Sequence, residues 1–180
     1  MEQPAASPVN KNADDDAEAL AAVEQHHASM LKRLSALTAT LVSAVRTGDA
    51  VAEHDAHEVL VEWCETDLVP HALAEEGPLY SAPRNLPQGQ LLVDGMLAEH
   101  QVIVGLVEDL RGSTGVDAAV AAGSIRNIFA LHLEKENRLL MPFIVASPEL
   151  SLAHAVEGLH ELVGEAHVHR HGTGYGGSSV

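Results

Sequence analysis

"HALAEE" (residues 71–76) and "HLEKEN" (residues 132–137) each set a histidine four residues ahead of a glutamate, late in a stretch with helical character. Four residues is close to one helical turn, so on a helix both side chains of such a pair project from one face. The spacing alone is a weak signal: with 12 histidines in the chain, roughly one such pair is expected by chance. A third pair, His54 and Glu58, is also present. The surroundings of each pair decide what it means.

Those surroundings are helical throughout. Asp15 and Glu18 have the spacing of a capping box, and Leu20, Val23, Met30, Leu31, Leu34, Leu37 and Leu41 then recur at helical intervals to about Thr47. Gly48-Asp49 breaks the pattern. A second helix is expected over about 51–76, bent at Pro70. "GPLYSAPRNLPQG" (77–89), with three prolines, reads as a long connection. A third helix is expected over about 90–110, a tight turn at 112–117, and a fourth helix over about 118–141, stopped by Pro142. A shorter fifth, about 149–166, carries Leu152, Val156, Leu159 and Val163 at helical spacing. The fold class expected is all-α: an up-down-up-down four-helix bundle over about 17–144 with an additional C-terminal helix. The helical domain spans 14–166, between a polar tail at 1–13 expected to be disordered and a flexible His- and Gly-rich tail at 167–180.

Composition limits the function. The 180 residues suffice for one domain with a real core. A formal charge of −16 argues against nucleic acid and anionic membrane surfaces as partners, since both call for basic patches. The start of the chain lacks the apolar run of a signal peptide, and no uninterrupted apolar stretch is long enough to span a membrane. The single cysteine, Cys64, suits a reducing compartment. A cytoplasmic protein is expected.

The histidines then fall into register. Helices joined by a short turn are antiparallel, so residues equidistant from the turn lie at one height. Residues 27 and 71 are equidistant from residue 49, and residues 100 and 132 from residue 116; all four are histidines. The middle connection sets 71 roughly level with 100. Around His27, apolar residues lie at helical offsets in Leu20, Val23, Met30, Leu31, Leu34 and Leu37, and around His100 in Val93, Met96, Ile103, Val104, Val107 and Leu110. Both histidines are therefore in the middle of a core-facing stripe. His26 fits these offsets poorly, so His27 is the inward member of the pair. Glu75 and Glu136 reach the same layer. Four imidazoles and two carboxylates converging in an apolar core are costly unless a cation joins them. Nitrogen and oxygen ligands suit iron, manganese or zinc, and two carboxylates that can bridge suggest two ions.

The order H…HxxxE…H…HxxxE on such a bundle resembles the hemerythrin-like HHE cation-binding family, and "PHALAEEGPLY" is similar to its second-helix signature. The resemblance covers residues 17 to about 144. It implies a non-haem di-iron centre, oxo- or hydroxo-bridged, with His27, His71, His100 and His132 as terminal ligands and Glu75 and Glu136 as bridges. It also implies O2, nitric oxide or peroxide as the small ligand, in carriage, sensing or redox chemistry. Oxygen-carrying members place another histidine one turn after the helix-three ligand, where this chain has Val104, and their last helix carries histidine and aspartate five apart, where this one has His132 and Glu136 four apart. The set therefore leaves an additional open position, which weakens reversible O2 carriage and invites water, peroxide or a further protein ligand.

Three functions follow as expectations: a sensor or redox-protective protein binding O2, nitric oxide or peroxide; a peroxide- or nitric-oxide-consuming oxidoreductase at the same site; and a metal-sequestering or interaction module working through its His-rich tail. A ferritin-like site drawing on Glu24 and His27 is disfavoured, because helices two and four carry HxxxE rather than ExxH. His54 and Glu58 read as a solvated helix start, Cys64 as a core thiol, Trp63 and Phe129 as packing residues, and Glu76 as an exposed charge or a partner of a ligand.

Overall fold

The computed structural model describes residues 12–157, which are almost entirely helical and contain no strand. α1 (Ala13–Thr47) is capped by Asn12, whose side chain accepts from the Asp14 N–H at 3.1 Å. The cap expected at Asp15 is thus displaced by three residues. Asn caps as well as Asp does, and using Asn12 leaves Asp14, Asp15 and Asp16 in the first turn, where the helix dipole favours negative charge. At the other end Gly48, with φ 69°, closes α1 in the left-handed conformation that glycine adopts without steric cost. Asp49 then caps α2 (Ala50–Trp63), accepting from Ala52 N–H at 3.0 Å. Two residues reverse the chain.

Both prolines follow a widened helical turn. α2 passes through a π turn at Cys64–Leu68 into α3 (Val69–Glu75), with the Val69 N–H bonding back to the Cys64 carbonyl. A proline in a helix lacks the N–H and crowds the carbonyl four residues back; the wider turn ahead of Pro70 accommodates both. The same device precedes Pro142. α6 (Gly115–Lys135) continues through a π turn at Glu136–Leu140 into α7 (Met141–Ala146). Pro142 therefore does not stop the fourth helical segment at Met141. The wide turns also serve packing. Ala56, Leu60, Cys64, Leu68 and Ala72 are all buried at intervals of four, a spacing that drifts by about 40° per step on a regular α-helix. One π turn takes that drift back and keeps the row on one face.

The connection after α3 contains a helical turn, α4 (Ser81–Arg84), and α5 (Pro87–Gly112) starts at Pro87, in the first turn where proline is tolerated. Gly89 is obligatory there: a Cβ would lie 2.4 Å from the Pro83 carbonyl oxygen. By length and composition α5 is apolar enough to cross a membrane, although polar residues interrupt its apolar runs. In this fold its residues Val93, Met96, Ile103, Val107 and Leu110 are buried. α1 packs against α2 and α6, and α5 against α6 and α3. Far from the site, His57 Nε2 donates to the Leu110 carbonyl at 2.7 Å, and Glu53 accepts from the Gly115 N–H at 2.7 Å. These bonds tie one hairpin to the other.

The core is two apolar clusters. One includes Leu34, Leu41, Leu60, Leu68, Ile125 and Phe129; the other includes Val23, Leu79, Met96, Leu140, Ile144 and Leu152. Residues 152–157 are helical, so the fifth helix starts at 152 rather than 149. Residues 1–11 of the first tail, all of the second, and the 158–166 part of the expected fifth helix lie outside the described residues. Its first turn is held by Asp16, fully buried, which accepts from Ser151 Oγ at 3.0 Å and from the Ala153 N–H at 2.9 Å. Asp16→Ala removes this cap and is expected to lower stability in urea unfolding by about 1 kcal/mol.

Candidate metal centre

The six polar residues singled out by the sequence meet between the two apolar clusters. His27, His100 and His132 are each 1% exposed, His71 8%, Glu75 1% and Glu136 0%. The register argument holds in space: the rings of His27 and His71 lie 5.4 Å apart, and those of His100 and His132 4.6 Å apart. His26 is exposed, although its ring stands 5.2 Å from that of His71. Glu24, His54 and Glu58 are exposed, Phe129 is a core residue, and Trp63 packs partly buried beside it.

Glu75 and Glu136 each span the two histidine pairs. Glu75 Oε1 lies 3.4 Å from His27 Nε2 and 3.2 Å from His71 Nε2, while its Oε2 lies 4.0 Å from His100 Nε2. Glu136 Oε2 lies 3.6 Å from His27 Nε2, and its Oε1 3.6 Å from His132 Nε2. Among the described residues two groups could hold a metal ion, His27 with His71 and Glu75, and His100 with His132 and Glu75; the carboxylate is common to both.

The histidines are oriented from behind. His27 Nδ1 donates to Asn137 Oδ1 at 2.8 Å, His100 Nδ1 to Glu76 Oε1 at 3.0 Å, and His132 Nδ1 to Glu99 Oε2 at 3.0 Å. Glu99 in turn is paired with Lys135. A carboxylate or amide oxygen only accepts, so each Nδ1 carries a proton and each Nε2 faces inward, the orientation found around metal-bound imidazoles. The inner atoms are poorly satisfied without a cation. His100 Nε2 and His132 Nε2 face each other at 3.1 Å, and His71 Nε2, Glu75 Oε2 and Glu136 Oε2 are buried with no hydrogen-bond partner. His71 Nε2 is near Glu75 but out of alignment with it. Orphaned donor-set atoms at the meeting point of two carboxylates and four imidazoles fit one or two metal ions.

Sequence reasoning missed Tyr80. Fully buried, it donates its O–H to Glu136 Oε1 at 2.5 Å, with the same oxygen 3.1 Å from His132 Nε2. Helical periodicity has no way to place it, because the chain leaves the helix after Glu75 and returns through a turn in which the Tyr80 N–H bonds the Glu75 carbonyl. Glu99 and Asn137 were missed as well. Each is the immediate neighbour of a site residue, about 100° round its helix, which turns it toward the back of a histidine on the adjoining helix. For Glu76, the partner role is the one observed.

Electrostatics without a metal follow from this crowding. Burial, with Glu136 nearby, drives the Glu75 carboxyl up to about 7. Burial opposes the charge of Glu136 too, but His132, His27 and the Tyr80 hydroxyl outweigh it and hold Glu136 at about 2. Burial and the neighbouring His27 push His71 down to about 3. For His27 and His132 burial is outweighed by the two glutamates, and both are raised. Burial, then Glu75 and Glu136, raises the Tyr80 phenol, which stays a proton donor.

The chain belongs to a known family: residues 18–144 match the family model of the hemerythrin HHE cation binding domain. It is a cation-binding protein of that family. No curated protein and no solved structure matches it.

Glu75, raised to about 7, keeps a proton in the metal-free fold near neutral pH, whereas the lowered imidazoles of His71 and His100 hold fewer protons folded than unfolded. The share of stability that Glu75 contributes therefore falls as the pH rises through about 7. Metal binding needs Glu75 ionised, so affinity rises over the same interval and protons are released. Thermal unfolding of the metal-stripped protein against its Glu75→Gln variant, and calorimetric metal titration of the parent, each on both sides of pH 7, check the two opposite slopes.

Proposed function

We propose that this chain is a non-haem di-iron protein that binds O2, nitric oxide or peroxide, acting in sensing or redox protection. In this reading His27, His71, His100 and His132 are terminal ligands, Glu75 and Glu136 bridge the irons, and the helices run up-down-up-down around them. The observation that carries it is the span of the two buried glutamates, each with one oxygen toward either histidine pair. Family membership supports iron over the other ions that nitrogen and oxygen ligands accept.

Bound iron supplies redox capacity and Lewis acidity at positions the protein leaves open. The chain's own residues do the rest. The apolar clusters on either side exclude water, which strengthens every electrostatic interaction between them. Glu75 and Glu136 supply negative charge, and the Nδ1 bonds of His27, His100 and His132 keep their Nε2 atoms aimed inward. Tyr80 holds a proton at its hydroxyl beside Glu136. The acidic surface, at −16, supports a small molecule rather than nucleic acid or an anionic membrane as the partner, and the single cysteine supports a cytoplasmic location.

A second reading is an enzyme that consumes peroxide or nitric oxide. It is favoured by the Tyr80 proton beside the site and by half-buried Val104 at the position where oxygen carriers have another ligand. The third, metal sequestration, would work through a tail outside the described residues.

Metal analysis of the full chain with His167, His169 and His171 replaced by serine is expected to find two irons per chain and an oxo-bridged ferric charge-transfer band in air. Glu75→Ala, which removes the shared carboxylate, is expected to retain at most one. Zinc alone, or no metal in a folded protein, would sink the di-iron reading. Excess peroxide then separates binder from enzyme: a single adduct per centre marks the former, sustained oxygen evolution the latter.

A further inference from the structure

The two hairpins that contribute HxxxE diverge directly after the glutamate. After Glu75 the chain leaves the helix and brings Tyr80 back over His100 and His132, its ring stacked on that of His100 with centroids 5.5 Å apart. After Glu136 the helix continues and delivers Asn137 to His27. The environments of the two histidine pairs differ accordingly. Behind His100 and His132 stand two carboxylates, Glu76 and Glu99. Behind His27 stands a neutral amide, and among the described residues no carboxylate backs His71.

We propose that the two metal positions are unequal: the one at His100 and His132 loads first and holds its ion, while the one at His27 and His71 exchanges. This rests on the dinuclear reading above and adds an order of loading to it.

Three independent features point the same way. An imidazole that donates to a carboxylate is a more basic ligand than one that donates to an amide, and such partners change metal affinity about 10- to 100-fold. Lys135 offsets part of the Glu99 charge and fixes its position, while among the described residues Glu76 has no such counter-ion in contact. The second feature is preorganisation: His100 Nε2 and His132 Nε2 have already converged to 3.1 Å, sharing a proton at a place where a cation can replace it. The third is access. Tyr80 and His100 are 0% and 1% exposed, whereas His71 is 8% exposed and sits under the exposed ring of His26. An ion leaving by the His71 side crosses less protein.

The test uses the full-length protein with the three tail histidines replaced as above, loaded with cobalt(II), whose visible bands report its ligands. Dialysis against a chelator is expected to remove cobalt in two phases with a plateau at one ion per chain. Glu99→Gln is expected to weaken the retained ion by about 10- to 100-fold and shorten the plateau. Asn137→Asp, which gives His27 a carboxylate partner, is expected to strengthen the exchanging ion and merge the phases. Because that change is a gain, misfolding does not imitate it. Loss of both ions in one phase from the parent protein, or an effect of Glu99→Gln confined to the fast phase, overturns this inference alone. Uptake of fewer than two ions overturns the dinuclear reading and this inference with it.

Discussion

Everything in this structure is arranged around one costly layer. Four imidazoles and two carboxylates are buried at one height between two apolar clusters, and burial of unpaired ionisable groups is among the most unfavourable things a fold can do. The metal-free protein shows the stress directly: Glu75 is driven toward its neutral form while Glu136 is held ionised by the imidazoles around it. Protons are a partial substitute for the cation. They satisfy some of the inward-facing atoms and leave His71 Nε2, Glu75 Oε2 and Glu136 Oε2 without partners. A divalent or trivalent ion can meet all of them at once.

The helices are built to hold that layer without tearing it. Each long segment that carries HxxxE also carries a π turn and a proline, and wide turns of this kind recur at functional sites. Here their physical role is phase. Rows of buried residues spaced by four run through both segments, Leu60 to Ala72 in one and His132 to Ile144 in the other. On an unbroken α-helix those rows would spiral off the core. The widened turns keep ligands and apolar neighbours on the same face, and the prolines make the regular alternative unavailable. Cys64 lies in the first of these turns, fully buried, its thiol pushed up to about 12 by burial and by Glu65. It packs and does not react.

The outer ring of the site sets its character as much as the inner one. Glu76, Glu99 and Asn137 fix the tautomers of three histidines, and Tyr80 covers one end of the layer. None is a spaced member of the HxxxE pattern. They arrive from neighbouring helices and from a turn, and they differ between the two halves of what is otherwise a repeated motif. The inner set is pseudo-symmetric and its surround is not.

Much was determined by the sequence itself. Helical class, the inward choice of His27 over His26, and the shared level of His27, His71, His100 and His132 all follow from periodicity and turn positions, because short turns force antiparallel neighbours into register. Glu75 and Glu136 were legible for the same reason, one turn along from their histidines. Local chemistry was less legible. The cap at Asn12 competed with an equally good one at Asp15, and Pro142 read as a stop where the chain widened a turn and went on. Only the tertiary structure decided Tyr80, the pairing of Asn137, Glu76 and Glu99 with their histidines, and the buried bond from Asp16 to the last helix. Those contacts join residues far apart in the chain or across helix faces, where no spacing rule operates. They form because burying a polar atom without a partner costs more than the packing around it returns.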